Sequence, residues 1–279
     1  MMNSRKLYAR LPRTPGVYLF KDASGKILYI GKAANLRKRV SSYFEKPHDY
    51  RIEKLVQEIK KIDYKKTDTA LEALILESEL IKKYQPPYNV REKDDKSFLY
   101  VEITKERFPR VLLVRGKELK AKKMGVYYGP FVSAGSLREA LRIIRKIFPF
   151  NTHESDRIGR FTRPCFDYEI GLCPGTCVGT VNRAEYLKNI RNIKLLLVGK
   201  KKQILKSLKR EMRAASKALE FEKAETLRRQ IFALQHIQDV AFITEDNLSP
   251  ITSNLKPVFR IEGYDISNIS GTSAVGSMV

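Results

Sequence analysis

No stretch of the 279 residues approaches the ~18 uninterrupted apolar residues that a membrane-spanning helix needs. The segment from Met1 to Arg13 is basic but lacks the apolar run of a signal peptide, so a cytoplasmic location is expected. Acidic residues are scarce. The 31 Asp and Glu stand against 54 Lys and Arg, which leaves a formal net charge of +23. The excess is spread along the chain and not confined to a tail, and it points to nucleic acid, because Lys and Arg neutralise phosphates and release condensed counterions. An anionic membrane would need a lipid-inserting apolar helix face, and none stands apart from residues required for a core. Cysteine is also sparse. All three fall between Cys165 and Cys177, an odd and clustered set that favours metal or cluster ligation over disulfides in a reducing compartment. No internal repeat is visible. What is present is a hydrophobic fraction of 43%, enough for a buried core, on a chain long enough for about two domains.

The organisation reads as α+β. Gly16 to Phe20 and Ile27 to Gly31 are short apolar runs joined by Lys21-Asp22-Ala23-Ser24-Gly25-Lys26, which predicts a β-hairpin. Pairing Phe20 with Ile27 would set Tyr18 opposite Tyr29 on one face of the sheet. Leu36, Val40 and Phe44 recur at helical spacing within 33–44, Ile52 to Ile59 marks a second helix, and Ile62 to Lys66 fits a third strand. Thr69 with Glu72 forms a capping-box signature for a helix that Pro86-Pro87 stops. These elements predict a domain over 1–95 with a three-stranded antiparallel sheet and helices. Strands at 98–103 and 111–114, a helix over 136–148 and the cysteines predict a middle region, 96–182. A charged helical region follows over 183–245, with a break at Gly199 and an apolar seam of Leu219, Phe221, Ala224, Leu227, Ile231 and Leu234. After a linker-like stretch, a new strand at 258–266 opens a last segment, 256–279.

Three features of the first domain suggest chemistry. Tyr18 and Tyr29 share a sheet face. Asn35, Arg39 and Tyr43 fall at i, i+4, i+8, a polar stripe, with Lys32 just before the helix. Glu77 lies in the middle of the apolar stripe that contains Ala70, Ala73, Leu74, Leu80, Ile81 and Tyr84. A carboxylate on a buried face costs several kcal/mol unless it is paired or binds a cation, so Glu77 is either half of a buried Glu–Arg pair or a metal ligand.

Gly16-Val17-Tyr18 and Tyr29-Ile30-Gly31 resemble the paired motif of the GIY-YIG nucleases. Together with Pro15, Lys32-Ala33, Leu76 to Tyr84 and Tyr88-Asn89-Val90, the ordered set resembles the UvrC family of excision-nuclease subunits. That resemblance implies a nuclease site at Tyr18, Tyr29, Arg39 and Glu77, supported by Lys32, Tyr43 and Asn89. It implies Mg²⁺ or Mn²⁺ on Glu77, Arg39 stabilising phosphate charge, and a tyrosine, Tyr29 before Tyr18, helping to deprotonate water; a phenol near pKa 10 needs neighbouring cations to do so. The expected reaction is the 3′ incision in damaged double-stranded DNA marked by UvrA and UvrB. A non-catalytic adaptor bridging UvrB and DNA, or an RNA-binding protein, is the alternative, and a buried Glu77 argues against both.

The resemblance continues through Arg163-Pro164-Cys165 and Cys173-Pro174-Gly175-Thr176-Cys177-Val178-Gly179. Many family members carry four cysteines here and bind a 4Fe–4S cluster. His153 takes the first slot in this chain. The resemblance favours the cluster, while His153, Cys165, Cys173 and Cys177 also make a good Zn²⁺ set. Leu219 to Arg228 resembles the UVR motif that docks on UvrB, with Leu219, Phe221, Ala224 and Leu227 as contacts. Tyr264-Asp265-Ile266-Ser267 resembles the first strand of an RNase-H-like nuclease domain, which would make Asp265 the first carboxylate of an incomplete second site.

Overall fold

A computed structural model of the chain describes residues 5–90, 98–120, 125–237, 264–269 and 273–278. Residues 1–246 group into one compact unit and 247–279 into a second. The elements of the first are α1 (Arg5–Tyr8), β1 (Gly16–Lys21), β2 (Ile27–Ala33), α2 (Leu36–Glu45), α3 (Tyr50–Glu58), β3 (Lys61–Lys66), α4 (Ala70–Tyr84), α5 (Pro87–Val90), β4 (Leu99–Thr104), β5 (Val111–Arg115), β6 (Gly125–Phe131), α6 (Ala134–Ile147), α7 (Phe166–Glu169), α8 (Arg183–Leu197), α9 (Lys201–Lys217) and α10 (Phe221–Gln235). The α+β class holds, with an antiparallel sheet ordered β2-β1-β3 and a second sheet ordered β5-β4-β6.

The first hairpin turns on Asp22, whose Oδ1 accepts the backbone N–H groups of Ser24 (2.9 Å) and Lys26 (3.0 Å), with Gly25 at φ +87°. The register differs from the sequence expectation. Phe20 pairs with Tyr29 and Tyr18 with Gly31, because Lys21 meets Ile27 and not Lys26, and a bulge between Phe20 and Lys21 shifts the partners by one more. The shift is by two residues, so Tyr18 and Tyr29 stay on one face, as diagonal neighbours and not as an opposed pair.

The sheet is covered on both sides. Tyr18 and Phe20 pack with Leu36, Val40 and Tyr43 of α2 and with Leu55 of α3. Val17, Leu19 and Ile30 face Ala73, Leu80 and Ile81 of α4. Helix α4 is capped by Thr69, which accepts the Glu72 N–H at 3.1 Å, and ends at Gln85 in the left-handed region before the prolines. It is buried on more than the expected stripe. Leu71, Leu74 and Ile75 join Val101, Phe131, Leu137 and Ile144 in the core of the middle region. The same helix therefore serves two cores, which also accounts for Glu72 turning to Lys201 of α9 at 3.1 Å. Tyr84, assigned to the apolar stripe, is exposed in the last turn.

Strand β6 was not legible, because its sequence, Gly125-Val126-Tyr127-Tyr128-Gly129-Pro130-Phe131, carries the Gly and Pro that usually mark loops. The helical region breaks at Gly199, φ +71°, as expected, and again at Leu219, φ +61°. The apolar seam divides there: Leu227, Ile231 and Leu234 are buried in the α9–α10 hairpin, whereas Leu219 and Phe221 are exposed. In the second unit, β7 (Tyr264–Ile269) and β8 (Ser273–Met278) form an antiparallel hairpin with Asp265 opposite Ser277. The rest of the strand expected over 258–266, and the linker before it, lie outside the described residues.

Candidate active site and metal centre

Strand β2 is an edge strand, so the outward N–H and C=O of Ile30 and the N–H of Lys32 have no ladder partner. Two side chains satisfy them. Asn89, fully buried on α5, accepts the Ile30 N–H through Oδ1 and donates Nδ2–H to the Ile30 carbonyl, both at 2.8 Å. Glu77 of α4 accepts the Lys32 N–H at 2.9 Å. Its side chain is only 5% exposed. Glu77 thus reaches from the apolar stripe to the rim of the tyrosine-bearing strand, and both polar atoms of the Asn89 amide are spent on backbone.

Across the strand, the aromatic rings converge. Tyr18, Tyr29 and Tyr43 lie with centroids 5.9–6.3 Å apart, and the Tyr18 and Tyr43 hydroxyls share a hydrogen bond of 2.9 Å. Gly31 is required here, since a Cβ on it would overlap the Tyr18 hydroxyl. The Arg39 guanidinium stands 5.4 Å above the Tyr43 ring and beside Tyr18. Its Nε is buried without a hydrogen-bond partner among the described residues. Such an orphan donor is costly.

Burial pushes the Tyr18 phenol well above its usual value, Tyr43 adds to the rise, and Arg39 opposes it without prevailing. Tyr18, 1% exposed, is therefore neutral at working pH, whereas Tyr29 is half-buried. The Arg39 guanidinium stays charged despite its burial, since its ordinary value lies far above working pH. Asn35 is not part of the polar stripe on α2. It is the N-cap, with Oδ1 accepting the Lys38 N–H at 3.0 Å, because the helix starts at Leu36 and not at residue 33. Sequence reasoning gave no signal for His48, whose ring lies 5.8 Å from that of Tyr43 while Nε2 meets the Ser42 carbonyl at 2.8 Å.

The predicted cysteine set also converges. One donor atom each from His153, Cys165, Cys173 and Cys177 lies within 4.8 Å of every other. His153 Nε2 is 3.3 Å from Cys165 Sγ. Asn151 was missed in the sequence. Fully buried, it accepts the His153 N–H at 2.8 Å and the Thr176 hydroxyl at 3.2 Å, and so ties the histidine loop to the Cys173–Cys177 turn. Arg145 of α6 pins α7, which follows Cys165 directly, through Asp167 at 2.7 Å. Burial pushes the Cys165 thiol up to about 11. Burial would also raise Cys173, but hydrogen bonds from Thr176 and from backbone N–H groups of the turn outweigh it and lower this thiol.

Of the expected partner contacts, Phe221 is 65% exposed and lines a groove of about 660 Å³ with Met212, Ala224 and Arg228. Leu227 is buried in the hairpin, and Leu219 lies outside the groove lining. Among the described residues, no helix is long and apolar enough to cross a membrane.

Three family models match successive stretches of the chain: the UvrC-like GIY-YIG domain over residues 14–90, the UvrC/Cho excinuclease middle domain over 98–196, and the UvrB/uvrC motif over 202–237. The UvrABC system protein C of Moorella thermoacetica is 43% identical over 237 residues, which are 85% of this chain and 38% of that one. That of Vibrio vulnificus is 43% identical over 235 residues, 84% of this chain and 38% of its own. The chain spans less than two fifths of the length of these relatives. A solved structure, the GIY-YIG N-terminal endonuclease domain of UvrC from Thermotoga maritima bound to its catalytic divalent cation, magnesium, is 38% identical; it covers 32% of this chain and 98% of its own, with a TM-score of 0.29.

Proposed function

The chain belongs to the UvrC family, and from that premise we propose that it is the DNA endonuclease subunit of nucleotide excision repair in the cytoplasm, hydrolysing one phosphodiester 3′ to a lesion in duplex DNA that UvrA and UvrB have marked. The observation that carries the reading is Glu77, a carboxylate buried to 5% exposure on an apolar helix and held at the rim of β2. A non-catalytic bridge has no use for a charge that costs several kcal/mol to bury.

Glu77 is the residue that would hold Mg²⁺ or Mn²⁺, and its hard carboxylate oxygens suit either ion. When bound, such an ion supplies Lewis-acid polarisation of the scissile phosphate. The remaining work falls to side chains of the chain itself. The orphaned Arg39 Nε–H is a buried donor that a phosphate oxygen would satisfy, and a preorganised donor of that kind is worth about 2.7–4 kcal/mol in the transition state. Tyr29, the less buried tyrosine, is placed to take the proton of the attacking water. Tyr18 stays neutral and orients Arg39 and Tyr43 through its hydroxyl. Asn89 positions β2, and with it Tyr29 and Lys32.

His153, Cys165, Cys173 and Cys177 hold a structural metal that braces the middle region. Tetrahedral bonding at about 2.3 Å to sulfur sets donors roughly 3.5–3.8 Å apart. A cubane spreads its ligands over separate irons and so sets them farther apart than a single ion does. A separation within 4.8 Å fits a single tetrahedral ion such as Zn²⁺, and a 4Fe–4S cluster would require the loops to move apart. The groove beside Phe221 receives UvrB. Asp265 supplies the first carboxylate of a second nuclease site.

The decisive experiment is Glu77→Gln, assayed for nicking of lesion-bearing duplex with Mg²⁺ or Mn²⁺, with and without UvrA and UvrB. Loss of nicking with DNA binding and the circular dichroism spectrum intact is expected. Nicking at the parent rate would leave Glu77 a structural residue and remove the mechanism.

A further inference from the structure

Helix α9 presents two unlike faces. Lys206, Lys209, Arg210, Arg213 and Lys217 fall within about 100° of one another at 100° per residue and span about 16 Å at 1.5 Å per residue. All are exposed, and with Arg191 from α8 they line a groove of about 930 Å³ floored by Asn192 and Leu195. None of the six forms an ion pair with a described residue. The one acidic residue of α9, Glu211, is not among the lining residues; it accepts the hydroxyl of Ser207 at the groove's edge at 2.9 Å and lies 3.6 Å from Lys188.

The neighbouring helix shows what an ordinary solvated face looks like in this chain. On α10, Arg228 and Arg229 both pair with Glu225, at 2.6 and 2.9 Å, and Lys223 pairs with Glu220 at 2.7 Å. Interleaved carboxylates of that kind relieve like-charge repulsion at i, i+3 and i, i+4 spacing. Their absence from the α9 stripe leaves a focused positive field over a concave surface, which suits an extended polyanion. A length of 16 Å matches the rise of about five base pairs at 3.4 Å each. We infer that the groove between α8 and α9 is a second binding track for the phosphodiester backbone of DNA, separate from the nuclease centre. DNA as the occupant rests on the function proposed above. Arg213 and Lys217 also line the groove beside Phe221, so the DNA track and the partner groove share one helix.

The test replaces Lys206, Lys209 and Arg210, which line only the basic groove, with Gln in one variant, and with the opposite basic residue (Lys206→Arg, Lys209→Arg, Arg210→Lys) in a second. Binding of a fluorescein-labelled 30-base-pair duplex is followed by anisotropy from 50 to 200 mM KCl, with melting temperature checked for each protein. The Gln variant should bind more weakly, with a log K against log salt slope shallower by up to ~2.7, while the charge-preserving variant keeps the parent slope. The nicking rate at saturating DNA should stay at the parent level in both. An unchanged slope in the Gln variant overturns the inference. So does a case in which only binding of poly-glutamate is lost, which would assign the groove to an acidic protein surface. If no variant or parent nicks DNA but the slope still falls, the nuclease reading fails and the track stands.

Discussion

Removing the Asn89 amide should unlatch the edge of β2. In Asn89→Ala the Ile30 N–H and C=O lose hydrogen bonds of 2.8 Å each, and both Ile30 and Asn89 are fully buried, so water has no direct route to replace them. Each stranded buried group costs about 1–3 kcal/mol, which gives roughly 2–6 kcal/mol for the pair. Near 3 kcal/mol, the melting temperature should drop by about 6–12 °C for a unit of this size. Urea denaturation gives the free energy, and native-state hydrogen exchange gives the location: the Ile30 amide should lose protection while the amides of β1 keep theirs. Asn89→Asp should do little better, because a carboxylate still accepts from the Ile30 N–H but meets the Ile30 carbonyl without a proton to donate. Nicking should fall in both, and it should recover in part when the assay is run well below the lowered melting point. If stability instead stays within about 0.5 kcal/mol of the parent and Ile30 remains protected while nicking disappears, Asn89 acts on the substrate and the strand-latch argument is wrong.

Tyr18→Phe should keep more nicking activity than Tyr29→Phe in the same assay, and equal losses would count against Tyr29 as the base. The Tyr18 phenol also has a pH signature. The native state holds its proton well above the ordinary value of 10.0 while the unfolded chain releases it, so the native state binds more protons and stability falls as pH rises past about 10. The stability difference between parent and Tyr18→Phe should be constant below pH 10 and shrink above it; a flat difference to pH 11 would show the phenol is not buried. Phe221→Asp, at a 65% exposed position, should change the melting temperature little but weaken UvrB capture by ~2 kcal/mol or more. Capture at parent strength would remove the docking assignment. His153→Ala should lower bound metal and the protection of the Cys165–Cys177 turn; parent preparations should be colourless with one zinc per chain, and a brown protein carrying four irons would refute the single-ion geometry.

Much of the candidate site could be read without coordinates, because its signals are local. A one-residue slip would have set Tyr18 and Tyr29 on opposite faces, but the register departs from the expected one by two residues, an even shift that leaves both rings on one face. Glu77 was visible because helical periodicity makes a carboxylate on an apolar stripe anomalous. The cysteine spacing likewise announced a ligand set. What the chain order could not convey depends on partners distant in sequence. Asn89 reaches Ile30 across 59 positions, and only the edge position of β2 gives its amide a purpose. Asn35 looked like part of a polar stripe until the helix start made it a cap. The second burial surface of α4, against β6 and α6, follows from the packing of a sheet whose third strand resembles a loop. Tertiary structure alone separated the exposed Phe221 from the buried Leu227 and supplied the burial that keeps the Tyr18 phenol protonated. Residue types and their spacing decided which side chains lie in the candidate sites, since local geometry follows from them. Packing between distant segments decided what each can do there, since desolvation and hydrogen-bond partners depend on what surrounds a group in space.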